Sequence, residues 1–160
     1  MKAQAIGSFA RGEPAKPIRL HKPWTRYLVP AGRALFVAVF LLGTPGHFGR
    51  SAASYGADNG VPFADLVVPL SGLLALLGGL SVLLGYRTRL GAAMIAVYLV
   101  PVTLMMHRFW VLHDPSMVHL QEAMFLKNLA LFGTALMLIG RGAGPVSFDA
   151  MSDVRIPPET

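Results

Sequence analysis

Apolar residues run along this chain in long stretches broken by short polar ones. From Leu66 to Leu84 the chain reads LVVPLSGLLALLGGLSVLL, nineteen residues without a charge. At about 1.5 Å per helical residue, that nearly spans a hydrocarbon core of roughly 30 Å. Comparable runs at 27–43, 62–85, 90–107 and 124–140 predict four spans of an all-α transmembrane four-helix bundle. Between the first two spans, Ser51 to Asp58 predicts a short helical turn, and Asn59-Gly60 marks a tight turn. Pro69 should bend the second span, because it removes a hydrogen bond to the carbonyl four residues earlier. Ala75 and Gly79 form a small-xxx-small pair and Gly78 adds a second notch, the pattern that lets helices approach closely in lipid.

Composition agrees with that reading. Only 14% of the residues are charged and 54% are hydrophobic, against about 25% charged in ordinary soluble domains. The chain divides into a basic tail (1–26), a membrane domain (27–140) and a C-terminal tail (141–160). Charge then orients the domain. With four spans, both tails and the 86–89 turn share one side, which holds ten Lys and Arg, while the other side has Arg50 and Arg108. The positive-inside bias puts both termini in the cytoplasm, N-in/C-in. Six of the fourteen Lys and Arg precede residue 27, so the basicity is that of a tail, and no nucleic-acid partner is expected. Arg33 lies about one turn inside the first span. It either snorkels to the near interface or faces the bundle interior as a fixed cation. The absence of cysteine excludes disulfides, Cys-ligated zinc and thiol redox chemistry in this chain.

The polar groups of interest gather at the outer ends of the third and fourth spans. His107-Arg108-Phe109-Trp110 closes the third span, a loop carries His113, Asp114, His119 and Glu122, and Lys127 and Asn128 interrupt the fourth apolar run. The histidine spacings match no short metal signature, so no metal is predicted. An ionisable group inside a membrane segment marks a functional site by default. His107 and Lys127 are the candidate catalytic residues, able to donate to a quinone carbonyl that grows more basic on reduction. Asn128 would orient the carbonyl and Trp110 would wall the ring, both as ligand-binding residues. The structural alternatives are a snorkelling Lys127 and a Trp110 that belongs to the interfacial aromatic belt.

Several pieces, taken in order, resemble the DoxX family of small four-helix membrane proteins. They are Gly60-Val61-Pro62-Phe63, Gly72-Leu73-Leu74 and Leu77-Gly78-Gly79, then the turn Leu84-Gly85-Tyr86-Arg87-Thr88-Arg89-Leu90. His107 with Phe109-Trp110, the run Phe125 to Leu131 and the run Gly142 to Asp149 complete the set. The resemblance implies a bacterial inner membrane, and a membrane subunit of a redox system handling quinone or a sulfur-containing reductant. Its partners would be the lipid bilayer, redox partner proteins or further copies of itself. A small-solute carrier and a non-catalytic scaffold for soluble enzymes are the alternative functions.

Overall fold

The computed structural model describes residues 23–152. These residues form six α-helices and no strand: α1 (Leu28–Gly43), α2 (Arg50–Asp58), α3 (Ala64–Leu84), α4 (Thr88–Met106), α5 (Pro115–Arg141) and α6 (Phe148–Ser152). Four of the helical stretches, Trp24–Phe48, Ala64–Leu84, Thr88–Val111 and Pro115–Arg141, are long and apolar enough to cross a membrane. The chain is therefore a multi-pass helical membrane protein. Its first 22 residues, which contain most of the basic tail, lie outside the described residues.

Helix packing follows the chain: α1 lies on α3, α3 on α4 and α4 on α5, with α2 folded against α3. The core is the seam among them, with Val37, Val82, Ile95, Leu99 and Ala135 at its centre. Helix α3 serves two neighbours with adjacent glycines. A Cβ on Gly78 would meet the Gly91 carbonyl of α4 at 2.9 Å and Ile95 Cγ1 at 3.1 Å. A Cβ on Gly79 would meet Leu41 Cδ2 of α1 at 2.9 Å. The small-residue pattern thus has two partners, which no spacing rule could assign.

At what we call the turn end, α3 closes in a Schellman motif around Gly85 (φ 69°). Tyr86 N–H bonds to Ser81 O at 3.0 Å and Gly85 N–H to Val82 O at 3.2 Å, the paired bonds that satisfy the last carbonyls of a helix. Helix α4 begins almost at once. Its cap comes from far along the chain: the Asp149 carboxylate accepts from the N–H of Arg87 (2.6 Å) and of Thr88 (2.9 Å). The Asp149 N–H bonds back to Gly85 O at 2.8 Å. Arg33, only 4% exposed, donates from Nη2 to Val146 O at 2.7 Å. Of the two sequence readings for Arg33, the interior one holds. Its guanidinium packs over Gly85, where any Cβ would collide with it.

The opposite, loop end carries α2 and the 107–114 connection. The turn signal at Asn59-Gly60 is realised: Asn59 Nδ2 donates to Tyr55 O at 2.9 Å and Gly60 has φ 82°. Helix α5 starts at Pro115, well before the Met124 that hydropathy suggests. Asp114 is the cause. Its carboxylate accepts from the N–H of Ser116 and of Met117 at 2.8 and 3.1 Å, and Pro115 sits at the first helical position, where its missing N–H costs nothing.

Two outcomes follow. Gly78→Val should force α3 and α4 apart and destabilise the protein by about 1–3 kcal/mol, read as a lower thermal midpoint in detergent. Gly133→Ala, with nothing within 4 Å of the new Cβ, should leave the midpoint unchanged. Asp149 supplies the second. Burial tends to raise its pKa, but the Thr88 and Arg87 N–H groups and the Arg33 charge outweigh this and hold it below the usual carboxylate value. A depressed folded pKa means stabilisation present above the unfolded value of about 3.9 and lost as pH falls below it. Asp149→Asn turns an amide NH2 toward one of the two N–H groups, should cost about 1 kcal/mol at neutral pH, and should flatten the loss of stability on acidification.

Candidate functional site

Helices α1 and α5 do not pack closely on each other, and toward the loop end they leave a cavity in front of α4. It measures about 120 Å³ and is lined by Val39, Phe40 and Gly43 of α1, by Tyr98, Leu99 and Val102 of α4, and by Lys127, Asn128 and Leu131 of α5, together with His47 and His107. Five side chains that can hydrogen-bond therefore meet in a largely apolar bundle.

Each is positioned by a local cause. His47 lies in the 3₁₀ turn Thr44–Phe48, entered where Thr44 Oγ1 bonds to Phe40 O at 2.6 Å. Gly72 of α3 makes room for it: a Cβ there would meet the His47 Cβ at 2.5 Å. His47 Nδ1 is 3.3 Å from Gly43 O, and Nε2 is 3.0 Å from Tyr98 Oη. A carbonyl only accepts, so neutral His47 carries its proton on Nδ1 and takes the Tyr98 hydroxyl proton in a hydrogen bond at Nε2. Phe40 stacks edge-on against the Tyr98 ring at 6.1 Å and holds it. His107 ends α4, and its Nδ1 lies 2.7 Å from Gln121 Oε1 of α5. With that amide oxygen accepting, neutral His107 also carries its proton on Nδ1 and keeps Nε2 as a lone-pair acceptor.

Asn128 is one of only two buried residues of α5. Lys127 stands beside it at the cavity edge and is exposed. Among the described residues no carboxylate lies within ion-pair distance of Lys127. The cavity therefore presents donors, Lys127 Nζ and the Asn128 amide, and acceptors, the Tyr98 oxygen and His107 Nε2.

Of the four residues singled out from sequence, His107, Lys127 and Asn128 share this cavity. Trp110 does not line it. That ring is 53% exposed and packs edge-on against Phe109 and Phe125 at 5.2 and 5.9 Å, in an aromatic cluster beside the site. Asp114 caps α5, and His113 and His119 are exposed. Sequence reasoning missed His47, Tyr98 and Gln121. Tyr98 had a signal, being a hydroxyl in the middle of an apolar helix that needs a partner. His47 had less, because its loop gives no clue that it folds back onto α3.

A second, apolar recess of about 170 Å³ lies between α4 and α5, lined by Leu99, Val100, Leu104, Phe125, Leu129 and Phe132, among others. Asn128 borders both spaces. A molecule with a polar head and an apolar body could occupy the two together.

The model of the SURF4 family matches residues 61–153, more than half of the 160 residues. The match runs from just before α3 into the segment after α6, and so covers Tyr98, His107, Lys127 and Asn128 but not α1 or His47. It overturns the resemblance to the DoxX family. The expectations that rested on that resemblance, a bacterial inner membrane and kinship with quinone-linked redox subunits, lose their support. No curated protein and no solved structure shows significant similarity to the chain.

The hydrogen bonds fix an observable. In ¹⁵N spectra above the histidine pKa, His47 and His107 should both show the less common Nδ1–H tautomer. Tyr98→Phe should shift the Nε2 resonance of His47 and leave that of His107 in place. A predominantly Nε2–H His47 would contradict the hydrogen-bond assignment.

Proposed function

The chain belongs to the SURF4 family, and on that premise we infer that it binds a small membrane-soluble amphiphile whose polar head sits among His47, Tyr98, His107, Lys127 and Asn128. The observation that carries this reading is the convergence of those five side chains on one space inside the bundle. Polar side chains in a bilayer are expensive unless they serve one another or a ligand. Here His47 is bonded at both ring nitrogens and His107 at one, while Lys127 has no anion among the described residues.

Size limits the head. A cavity of about 150 Å³ is known to hold a benzene ring, so the smaller 120 Å³ here limits the head to one small ring at most. Chemistry limits it further. The head must accept hydrogen bonds from Lys127 and Asn128, and it gains if it can also donate to Tyr98 or to His107 Nε2. A quinone–quinol head meets both demands. The quinone carbonyl accepts from Lys127 and Asn128, and a quinol hydroxyl donates to the imidazole. The apolar recess beside Asn128 suits the tail.

In this reading the chain is the quinone-holding component of a redox system. Electrons come from a partner protein or a bound small molecule, since no cysteine of its own can supply them. The excess of Lys and Arg on the turn side supports cytoplasmic termini, which puts the cavity in the outer half of the membrane.

Protein taken from native membranes in mild detergent should release quinone in about a 1:1 ratio on extraction with organic solvent. Lys127→Ala and Asn128→Leu should each lower that occupancy about tenfold, the effect of one lost charged or buried hydrogen bond. Trp110→Ala, outside the cavity, should leave occupancy intact. Quinone absent from the wild type, or retained by both cavity variants, would remove the quinone reading.

A further inference from the structure

A larger cavity, of about 580 Å³, opens at the turn end, where α4 begins, α5 ends and α6 folds back between them. Three arginines line it: Arg87 and Arg89 at the start of α4, and Arg141 at the end of α5. Among the described residues its one carboxylate is Asp149, whose two oxygens each accept from an N–H group, of Arg87 and of Thr88. Among the described residues no carboxylate pairs with any of the three arginines. The wall thus carries three cations against one anion.

The chain builds this enclosure. Gly142 (φ 75°) and Gly144 (φ 79°) turn the backbone sharply after α5, so that residues 145–152 come back over the start of α4. Arg89 Nε lies 3.7 Å from where a Gly142 Cβ would stand, so this arginine runs across the end of α5. Some of the positive charge compensates the negative end of the α5 dipole, which is worth only about half an elementary charge. Arg87 lies over the Tyr86 ring at 5.8 Å, and Arg89 and Arg141 together carry more positive charge than the dipole takes up.

We propose that this cavity is a binding site for a phosphate-bearing anion, and that its natural source is the headgroup of an anionic phospholipid. Planar guanidinium forks match phosphate oxygens two at a time. The cavity lies where two membrane helices end, which is headgroup level, and exposed Leu90 borders it on the side of the acyl chains. Basic pockets between helices on the cytoplasmic side are a known form of headgroup site. A soluble phosphate would meet the same groups, and the test separates the two sources.

The experiment is native mass spectrometry of the full chain in neutral detergent, titrated with phosphatidylglycerol and separately with phosphatidylcholine, in parallel with thermal unfolding in inorganic phosphate. The wild type should bind phosphatidylglycerol in preference to phosphatidylcholine. Arg89→Gln with Arg141→Gln should weaken the anionic lipid by at least about tenfold, since each arginine near the membrane surface contributes about a fivefold gain in affinity. Arg26→Gln removes a charge from the same side but outside the cavity, and should change little.

Stabilisation of the wild type, but not of the double variant, by millimolar inorganic phosphate without lipid preference would keep the site and make its ligand a soluble phosphate. Equal binding of the two lipids together with no response to phosphate would overturn the proposal. So would an Arg26→Gln effect as large as that of the double variant, which would reduce the matter to general surface charge. If the double variant fails to fold, Arg141→Lys decides. It keeps the charge but loses the fork, so undiminished preference for phosphatidylglycerol would exclude the guanidinium contact.

Discussion

Lipid tails are as apolar as leucine, so nothing analogous to the hydrophobic effect in water draws one membrane helix onto another. Helices α1, α3 and α4 hold together through close contact, and the distance of that contact is set by side chains that α3 lacks. Gly78 lets the α4 backbone come within reach, and Gly79 takes the edge of Leu41 from α1. Ala75, 1% exposed, continues the same face. Where α3 makes these approaches the core is dry and full, around Val37, Ile95 and Leu99. Helix α5 has no such helper, buries only Asn128 and Ala135, and rests mainly on α4, with the turn Phe109–Val111 beside it. The space between α1 and α5 is what remains when three helices are drawn tight and the fourth is not.

Polar groups are kept at the two ends of this dry seam, and each end settles them differently. At the turn end the solution is long-range. Residues from α1, the α3–α4 turn and the C-terminal segment meet where Asp149 caps α4 and Arg33 reaches Val146. Arg33 Nε and Nη1 find no hydrogen-bond partner, so the charge is held by packing over Gly85 and by the nearby Asp149 carboxylate rather than by a full set of bonds. At the loop end His47 settles both ring nitrogens, on Gly43 and Tyr98, and His107 settles one, on Gln121. Among the described residues the lysine has no anion. The turn end is tied together by bonds between distant segments, while at the loop end the polar groups line one space inside the bundle.

The all-helical membrane fold could be read from the chain because the signal is long. Nineteen consecutive uncharged residues match the thickness of a hydrocarbon core and exceed what a helix in a small soluble domain can bury. The tight turn after α3 was also visible in Leu-Gly-Tyr-Arg-Thr-Arg, because a glycine at the end of an apolar helix followed by arginines is what a Schellman stop at a membrane surface requires. That same generality accounts for the wrong family resemblance. A glycine stop with arginines, small residues in a second span and a polar pair in a fourth are demanded by the physics of short membrane helices, so they recur wherever such helices are joined tightly. The start of α5 was misplaced for the opposite reason. Its first turns are too polar for a hydropathy reading, and the deciding signal, Asp114 capping just before Pro115, is local and sits in what looked like loop. The long-range contacts had no signature at all. Nothing near Asp149 in sequence says that it caps a helix beginning at Thr88, and nothing near His47 says that Tyr98 is its partner.

Helix α4 joins the two polar regions. It begins under the arginines, at Thr88, and its last residue, Met106, precedes His107. Between them lie Ala92, Ile95, Ala96 and Leu99, all buried, so the helix is anchored along most of one face and has no freedom to slide. Its ends can therefore carry different chemistry without compromise. The turn end faces the side rich in Lys and Arg, where anionic headgroups would find it. The loop end faces the cavity, where an uncharged head could enter laterally past Asn128, the residue common to the polar space and the apolar recess. That shared residue gives the site a direction. On the proposed function, a ligand from the bilayer would meet Leu104, Phe125 and Phe132 first and the hydrogen-bonding groups last, which would favour molecules with one polar end.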